Sequence, residues 1–304
     1  MFQRLGSRPR LRLIPAVMGI AVVTATVIPA TAGSTVAELF GSKRRSEDWP
    51  SAATGYLVLN QRRAGNDHDG NVLLVPEGGV ATKVNPDGTN ADYPSIELGN
   101  AHLGDAMLYA EWQGDGQRDV RIYDLASQTF MDPPPGVNTS ASENRPSVSG
   151  DHLLFARGPV DKPSTRAILF DLSTGMSTVI ARADYIWVGP VNGDWVVYQE
   201  CTRACPIYRY QISTGQRERV PAPRKWNYFP IIDDDGTVYY GASSWDCGLN
   251  VRMMRHVPGA GSSTVVRRFP DGVDIFPGDV VNHEIYFGRY SCRQEQGDIY
   301  RLTL

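Results

Sequence analysis

The sequence predicts an all-β fold built from repeated four-stranded units. Short apolar runs with a period of two recur from about residue 55 onward, and no stretch shows the 3.6-residue period of an amphipathic helix. Gly-Asp and Asp-Gly turns separate many of these runs. Four antiparallel strands in about 45 residues are typical of a propeller blade, so six such units predict a six-bladed β-propeller over residues 55–304.

The clearest unit begins at Glu143. Its four predicted strands cover residues 144–149, 152–156, 167–171 and 176–180. Gly150-Asp151 turns the chain between the first two strands, and Ser173-Thr174-Gly175 turns it into the fourth. The same Ser-Thr-Gly tripeptide returns 40 residues later, at 213–215, which indicates the repeat length.

Five further units follow the same order, which gives six in total. Their strands are predicted at 56–59 and 72–75, at 93–95, 107–109 and 121–124, at 187–190, 195–198 and 207–210, at 229–232 and 237–240, and at 276–277, 284–287 and 298–301. The first unit lacks its inner strand, and the last ends after its third. A closed ring leaves no open sheet edge, so residues 33–54 are predicted to be a linker or a ring-closing strand. An open solenoid is the alternative.

Residues 1–32 have the pattern of a secretory signal peptide. Four arginines precede an apolar run that extends from Leu13 to about residue 30, and no acidic residue lies among them. Ala30-Thr31-Ala32 then forms a small-x-small cleavage site. An uncleaved membrane anchor is the alternative, because the apolar run is nearly long enough to span a bilayer. We therefore expect a protein that is secreted or located in the cell envelope.

Loss of this leader would lower the formal net charge from −3 to about −7, because four arginines leave with it. Phosphate binding depends on clustered lysine and arginine. The one such cluster after the leader, at 43–45, precedes the repeats. The net negative charge argues against a nucleic-acid partner. The continuous repeat predicts a single domain. We expect this domain to be monomeric.

The repeats resemble those of TolB-type propellers. The shared features are an aromatic residue or arginine before proline, an apolar-aromatic strand, and an Ile-Tyr-x-Asp-like strand followed by Ser-Thr-Gly. The Ser-Pro-Asp-Gly turn usual in that family is reduced here to Ser149-Gly150-Asp151 and Asp234-Asp235-Gly236. The resemblance covers residues 55–304 and implies a platform that binds proteins or other ligands.

The four cysteines are expected to form two disulfides, since an exported domain reaches a compartment that permits them. Each cysteine falls in a predicted loop between the second and third strands of its unit. Cys201 and Cys205 would close a short loop, whereas Cys247 and Cys292 occupy matching loops of neighbouring units, which lie side by side in a propeller. A zinc site is the alternative, but the spacing fits no pair of C-x-x-C hairpins.

The loops that lead into the innermost strands form the candidate site, because in a propeller they ring one mouth of the central channel. They contribute a mixture of acidic, amide, cationic and aromatic side chains: Asp92, Tyr93, Glu143, Asn144, Arg145, Asp184, Trp226, Asn227 and Asp274. Carboxylate and amide oxygens that converge on an axis could hold Ca²⁺, as in six-bladed lactonases. The alternative is that these residues cap strands and bind water.

Loops between the second and third strands lie on the same face and add Trp112, Trp245-Asp246 and Arg289-Tyr290. Tryptophan, tyrosine and arginine dominate binding hot spots, and the sequence contains no nucleophile elbow, zinc-protease helix or phosphate loop. We therefore expect a non-catalytic binding or scaffold protein without a cofactor, which engages a protein, peptide or glycan. A calcium-dependent hydrolase or lyase of the lactonase kind is the alternative.

Overall fold

The computed structural model describes residues 35–42, 45–63, 69–113, 116–222, 226–244 and 248–304. Over these residues the chain forms six four-stranded antiparallel sheets, arranged as the blades of a β-propeller, which confirms the predicted fold class. The predicted signal peptide lies outside the described residues. A helix long and apolar enough to cross a bilayer does not occur in the part of the chain that the structure describes.

Each blade contributes one strand to each of four layers around the axis. The innermost strands are β2 (Arg45–Ala53), β6 (Ala91–Asn100), β10 (Ser142–Ser149), β14 (Tyr185–Asn192), β18 (Trp226–Ile232) and β22 (Val273–Val281). The second layer is β3 (Tyr56–Arg63), β7 (Gly104–Trp112), β11 (His152–Gly158), β15 (Trp195–Cys201), β19 (Val238–Ser243) and β23 (Glu284–Ser291). The third is β4 (Asn71–Pro76), β8 (Arg118–Asp124), β12 (Arg166–Asp171), β16 (Ile207–Gln211), β20 (Arg252–His256) and β24 (Gln296–Thr303). The outermost is β5 (Thr82–Lys83), β9 (Thr129–Met131), β13 (Met176–Arg182), β17 (Arg217–Arg219), β21 (Thr264–Arg268) and β1 (Thr35–Phe40).

The hydrophobic core lies between neighbouring blades rather than at one centre. Leu153 and Phe155 of β11 pack into the cluster shared with the second blade, whereas Leu154 and Ala156 pack into the cluster shared with the fourth. Because both faces of this sheet are covered, the strand carries a nearly continuous apolar run. The outermost strands face solvent, as the 68% exposure of Met176 illustrates.

The first and last parts of the described chain close the ring together. Strand β1 pairs antiparallel with β24, from Thr35 opposite Thr303 to Phe40 opposite Ile299, and so completes the sixth blade. Strand β2 supplies the innermost strand of the first blade. Both strands lie within the segment predicted to be a linker or a ring-closing strand, so the propeller extends upstream of residue 55.

Hydroxyl groups on the innermost strands join adjacent blades. The Ser51 hydroxyl accepts a hydrogen bond from the Ile96 backbone N–H at 3.3 Å, and the Ser147 hydroxyl accepts one from the Val191 N–H at 3.1 Å. Each bond runs from one blade to the next, and it satisfies a backbone donor that the sheets leave unpaired.

A disulfide joins Cys201 and Cys205, as predicted, in the loop that follows β15. Cys292 is also disulfide-bonded. Its predicted partner, Cys247, and the loop residues Trp245 and Asp246 lie outside the described residues, so the second pairing stays a prediction.

Candidate binding site

A cluster of six side chains, one from each innermost strand, fills the axis of the propeller. This central plug consists of Trp49, Tyr93, Arg145, Trp187, Phe229 and Phe276. Ring centroids are 4.7 Å apart for Trp49 and Phe229 and 4.6 Å apart for Trp187 and Phe229. Edge-to-face and tilted contacts at these distances add to the area that the rings bury.

In four of the six blades, a bulge in the innermost strand directs the plug side chain to the axis. The sheet register shifts between Asn144 and Ser147, so Arg145 and Pro146 have no partner in β11. Arg145 has a φ of 55°, and Trp49, Tyr93 and Phe229, each also followed by proline, have φ values of 50–57°. A positive φ is strained for a bulky residue, and proline after it cannot donate to the ladder, so both features mark a bulge that re-aims a side chain.

The fourth and sixth blades depart from this pattern. In the sixth blade, Phe276 stays paired within its sheet. In the fourth blade, Gly189 occupies the bulge, because the register shift lies between Val188 and Val191. A Cβ atom on Gly189 would lie 2.1 Å from the Pro230 carbonyl oxygen of the next blade. The close approach of the two backbones therefore excludes a larger residue, and Trp187, two residues earlier, reaches the plug instead.

Arg145 is the one charged member of the plug. Its guanidinium carbon lies 2.9 Å from the Trp187 ring centroid and 3.7 Å from that of Tyr93, which are cation–π contacts. The side chain is only 8% exposed, and it forms no salt bridge or side-chain hydrogen bond with any residue that the structure describes. Burial lowers the pKa of Arg145, yet arginine stays protonated in proteins.

A cavity of about 450 Å³ opens from the plug at the predicted channel mouth, between the second, third and fourth blades. We call it the mouth cavity. Arg145 and Trp187 lie at its base, and its aromatic and polar walls comprise Tyr93, Trp112, Arg118, Ser142, Asn144, Asp161, Lys162, Ser164 and Tyr185. The Arg118 guanidinium carbon lies 3.5 Å from the Trp112 ring centroid, which places a second cation against an aromatic wall.

A second cavity of about 360 Å³ is lined by the downstream halves of the innermost strands, and we call it the rear cavity. Its walls are mostly apolar side chains, prolines and serines. Asp279 contributes a carboxylate, which accepts hydrogen bonds from the Ser51 hydroxyl at 2.7 Å and from the Ala52 N–H at 3.1 Å. Burial raises the pKa of Asp279 to about 6 despite these donors.

Most of the predicted carboxylates are engaged within the fold rather than directed at the mouth cavity. Asp92 accepts hydrogen bonds from Asn60 and from the Trp112 indole, at 3.2 and 3.0 Å. Glu143 accepts from Arg157 at 2.8 Å. The Tyr228 hydroxyl donates to Asp274 at 2.6 Å.

Of the nine predicted residues, Tyr93, Asn144 and Arg145 line the mouth cavity. Asp184 and Trp226 are exposed outside it, and Asn227 accepts a hydrogen bond from Gln199 through its backbone carbonyl. Sequence reasoning missed Trp49, Arg118 and Lys162. The aromatic-or-arginine-before-proline pattern of residues 55–304 pointed to four members of the plug: Tyr93, Arg145, Phe229 and Phe276.

A group of acidic residues that could hold a metal ion lies elsewhere. Among the described residues, the only set of three or more potential ligands within mutual reach is Asp233, Asp234 and Asp235. These residues form the turn between β18 and β19, at the end of β18 away from the channel mouth. This acidic group includes none of the residues predicted at the channel mouth.

No protein-family model and no curated protein matches the chain. The fold is similar to that of TolB from Acinetobacter baumannii, with a TM-score of 0.57 and 12% identity over 82% of this chain, which spans 63% of that TolB chain. It is also similar to a gluconolactonase from Xanthomonas campestris, with a TM-score of 0.60 and 12% identity over 89% of each chain. An oligogalacturonate lyase in complex with manganese has a TM-score of 0.51 and 13% identity over 90% of this chain and 96% of its own. At these identities the comparisons show a shared fold alone.

Proposed function

We propose that this protein is an exported, TolB-like propeller that binds a protein, peptide or glycan in the mouth cavity and catalyses no reaction on it. The observation that carries the proposal is the composition of this cavity, which combines Trp112, Tyr185 and Trp187 with two arginines. These residue types contribute most of the binding energy in protein interfaces. A concave site with a few convergent polar groups is the usual form of a ligand pocket.

The arrangement of the carboxylates supports a binding role over a metal-dependent reaction. Asp92, Glu143 and Asp274 hydrogen-bond to neighbouring side chains, so they hold loops and strands in position. The plug also fills the axis, so a ligand would reach the structure from the mouth. Export is supported by the leader sequence and by the Cys201–Cys205 disulfide, which is stable in an oxidising compartment.

Binding can be tested with peptide and glycan arrays probed with the purified protein lacking residues 1–32. Two variants on the third blade make the same charge change at different places. Lys162→Glu alters the mouth cavity, whereas Arg182→Glu alters an exposed residue of β13 outside it. We expect the array signal to fall with Lys162→Glu and to persist with Arg182→Glu. Equal signals from the two variants would place the binding surface elsewhere.

Elemental analysis distinguishes the non-catalytic binding role from the alternative of a metal-dependent hydrolase or lyase. Stoichiometric Ca²⁺ or Zn²⁺ that survives dialysis, together with turnover of a lactone or uronate oligomer, would contradict a purely binding role. We expect neither.

A further inference from the structure

Arg145 differs from a comparably buried arginine of the same protein. Arg209 is 3% exposed and pairs with Glu218, whereas Arg145 is 8% exposed and pairs with no carboxylate among the described residues. A buried charge is normally paired, because removal from water is costly. The contacts with Trp187 and Tyr93 offset part of this cost from the ring faces. Among the residues that the structure describes, none accepts a hydrogen bond from the N–H groups at the edge of the guanidinium.

The surroundings of Arg145 also carry excess positive charge. Arg118 and Lys162 line the same cavity, and Asp161 is the only carboxylate among its lining residues. Arg118 Nε is buried and has no hydrogen-bond partner in the described structure. This local excess contrasts with the net negative charge of the sequence, and it favours an anion in the cavity.

Asn144 supplies a further donor beside Arg145. Its Oδ1 accepts the Arg145 backbone N–H at 3.0 Å, which orients the side-chain amide, and its Nδ2 donates to no residue that the structure describes. Asn144 is 9% exposed and lines the cavity. An arginine fork next to a fixed amide N–H can satisfy both oxygens of a planar carboxylate.

We propose that the mouth cavity binds a carboxylate group of its ligand, with Arg145 as the principal contact and Asn144 beside it. The proposal rests on the proposed function and specifies the chemistry of its ligand. One guanidinium at the base matches a single negative charge, and the aromatic walls Tyr93 and Trp187 match a flat or ring-shaped body. A cavity of about 450 Å³ lies at the small end of ligand pockets, and accommodates a group the size of a monosaccharide or amino acid.

The test is a titration followed by tryptophan fluorescence, because Trp112 and Trp187 line the cavity. Two acids represent the two sources of a carboxylate, glucuronate and N-acetylphenylalanine, and their neutral counterparts are glucose and N-acetylphenylalaninamide. Inorganic phosphate is the third anion. At least one acid is expected to bind about tenfold or more tightly than its neutral counterpart, since a hydrogen bond to a charged group contributes that much.

Variants assign this preference to Arg145. Arg145→Gln is expected to abolish the preference for the acid, and Arg145→Lys to reduce it, because lysine keeps the charge and loses the fork. The matched control is Arg217→Gln, which removes an arginine that stacks on Tyr208 at 3.7 Å and pairs with Glu200 outside the cavity. Thermal melting verifies that each variant folds. If Arg145→Gln does not fold, Arg118→Gln at the cavity wall replaces it and is expected to weaken acid binding.

The outcomes separate the two proposals. Three outcomes would overturn carboxylate recognition. The acids and their neutral counterparts bind equally, acid binding is unchanged in the folded arginine variant, or phosphate alone binds. In those cases an array signal that still depends on Lys162 leaves the proposed function standing. Loss of both the acid preference and any Lys162-dependent array signal would reject both.

Discussion

Asp279 makes the stability of the ring dependent on pH. This carboxylate joins the sixth blade to the first through Ser51 and the Ala52 N–H, at the position where other blades use a serine hydroxyl. Burial raises the pKa of Asp279 from 3.8 to about 6. The folded state therefore holds a proton on Asp279 at pH values where the unfolded chain has released it.

The sign and size of the effect follow from proton linkage. The free energy of unfolding falls as pH rises from about 4 to about 6, because in this range the folded state binds more protons than the unfolded state. A shift of roughly two pKa units corresponds to about 3 kcal/mol at 1.36 kcal/mol per unit. Above pH 6 the contribution is constant, with an ionised carboxylate in the folded ring.

The variant Asp279→Asn removes this titration. Urea unfolding of both proteins at pH 4, 5, 6 and 7, with disulfides intact, gives the difference in unfolding free energy at each pH. We expect the stability of the wild type relative to Asp279→Asn to fall by about 2 kcal/mol between pH 4 and pH 7, since pH 4 already lies just above the unfolded pKa. The control variant is Asp171→Asn. Hydrogen bonds from Ser173 and Thr174 lower the pKa of Asp171. The stability of the wild type relative to this variant is therefore expected to rise with pH, opposite to the trend for Asp279. A constant difference between wild type and Asp279→Asn, or one that rises with pH, would refute the reasoning.

Three other predictions concern the fold. Gly189→Ala is expected to destabilise the protein by about 3 kcal/mol or more in urea unfolding, because its Cβ would overlap the Pro230 carbonyl oxygen. The control is Gly261→Ala, whose Cβ would lie in open space and which is expected to change stability by less than about 0.5 kcal/mol. Ser147→Ala is expected to cost about 1 kcal/mol in the same assay, because the Val191 N–H loses its acceptor; an unchanged midpoint would show that water replaces the hydroxyl. Thiol titration of the denatured, unreduced protein is expected to find no free thiol, and any stoichiometric thiol would contradict the pairing of Cys292 with Cys247.

The fold could be predicted from the sequence wherever both faces of a blade are covered by apolar side chains. The run from His152 to Ala156 is an example. Strand β2 was not predicted as an inner strand because most of its buried residues are polar. Glu47 and Asp48 are 0% and 2% exposed. Gln61 donates a hydrogen bond to Glu47 Oε1 at 2.8 Å, and Asn60 donates one to Asp48 Oδ1 at 3.0 Å.

The candidate site was predictable in position but not in chemistry. The sequence placed Tyr93, Asn144 and Arg145 at the channel mouth, since the repeat order fixes which loops meet there. The hydrogen bonds of Asp92 and Glu143 could not be predicted, because their partners Trp112 and Arg157 lie on the neighbouring strands of the same blades. Such pairing depends on the register between strands, which composition does not reveal.

The β1–β24 pairing has a consequence for how the protein folds. Thr35 lies opposite Thr303, so β1 pairs with a strand from which it is separated by all the other strands of the propeller. Joining the ends of a flexible loop of this length costs roughly 5 kcal/mol in chain entropy, and contacts of such high sequence separation form slowly. Five blades can assemble by local hairpin contacts while the sixth remains open, with the edge of β24 exposed to other chains. We therefore expect closure of the sixth blade to be the step of folding most vulnerable to aggregation. Its rate is expected to respond to changes in β1 more than to changes in the outer strand of any other blade.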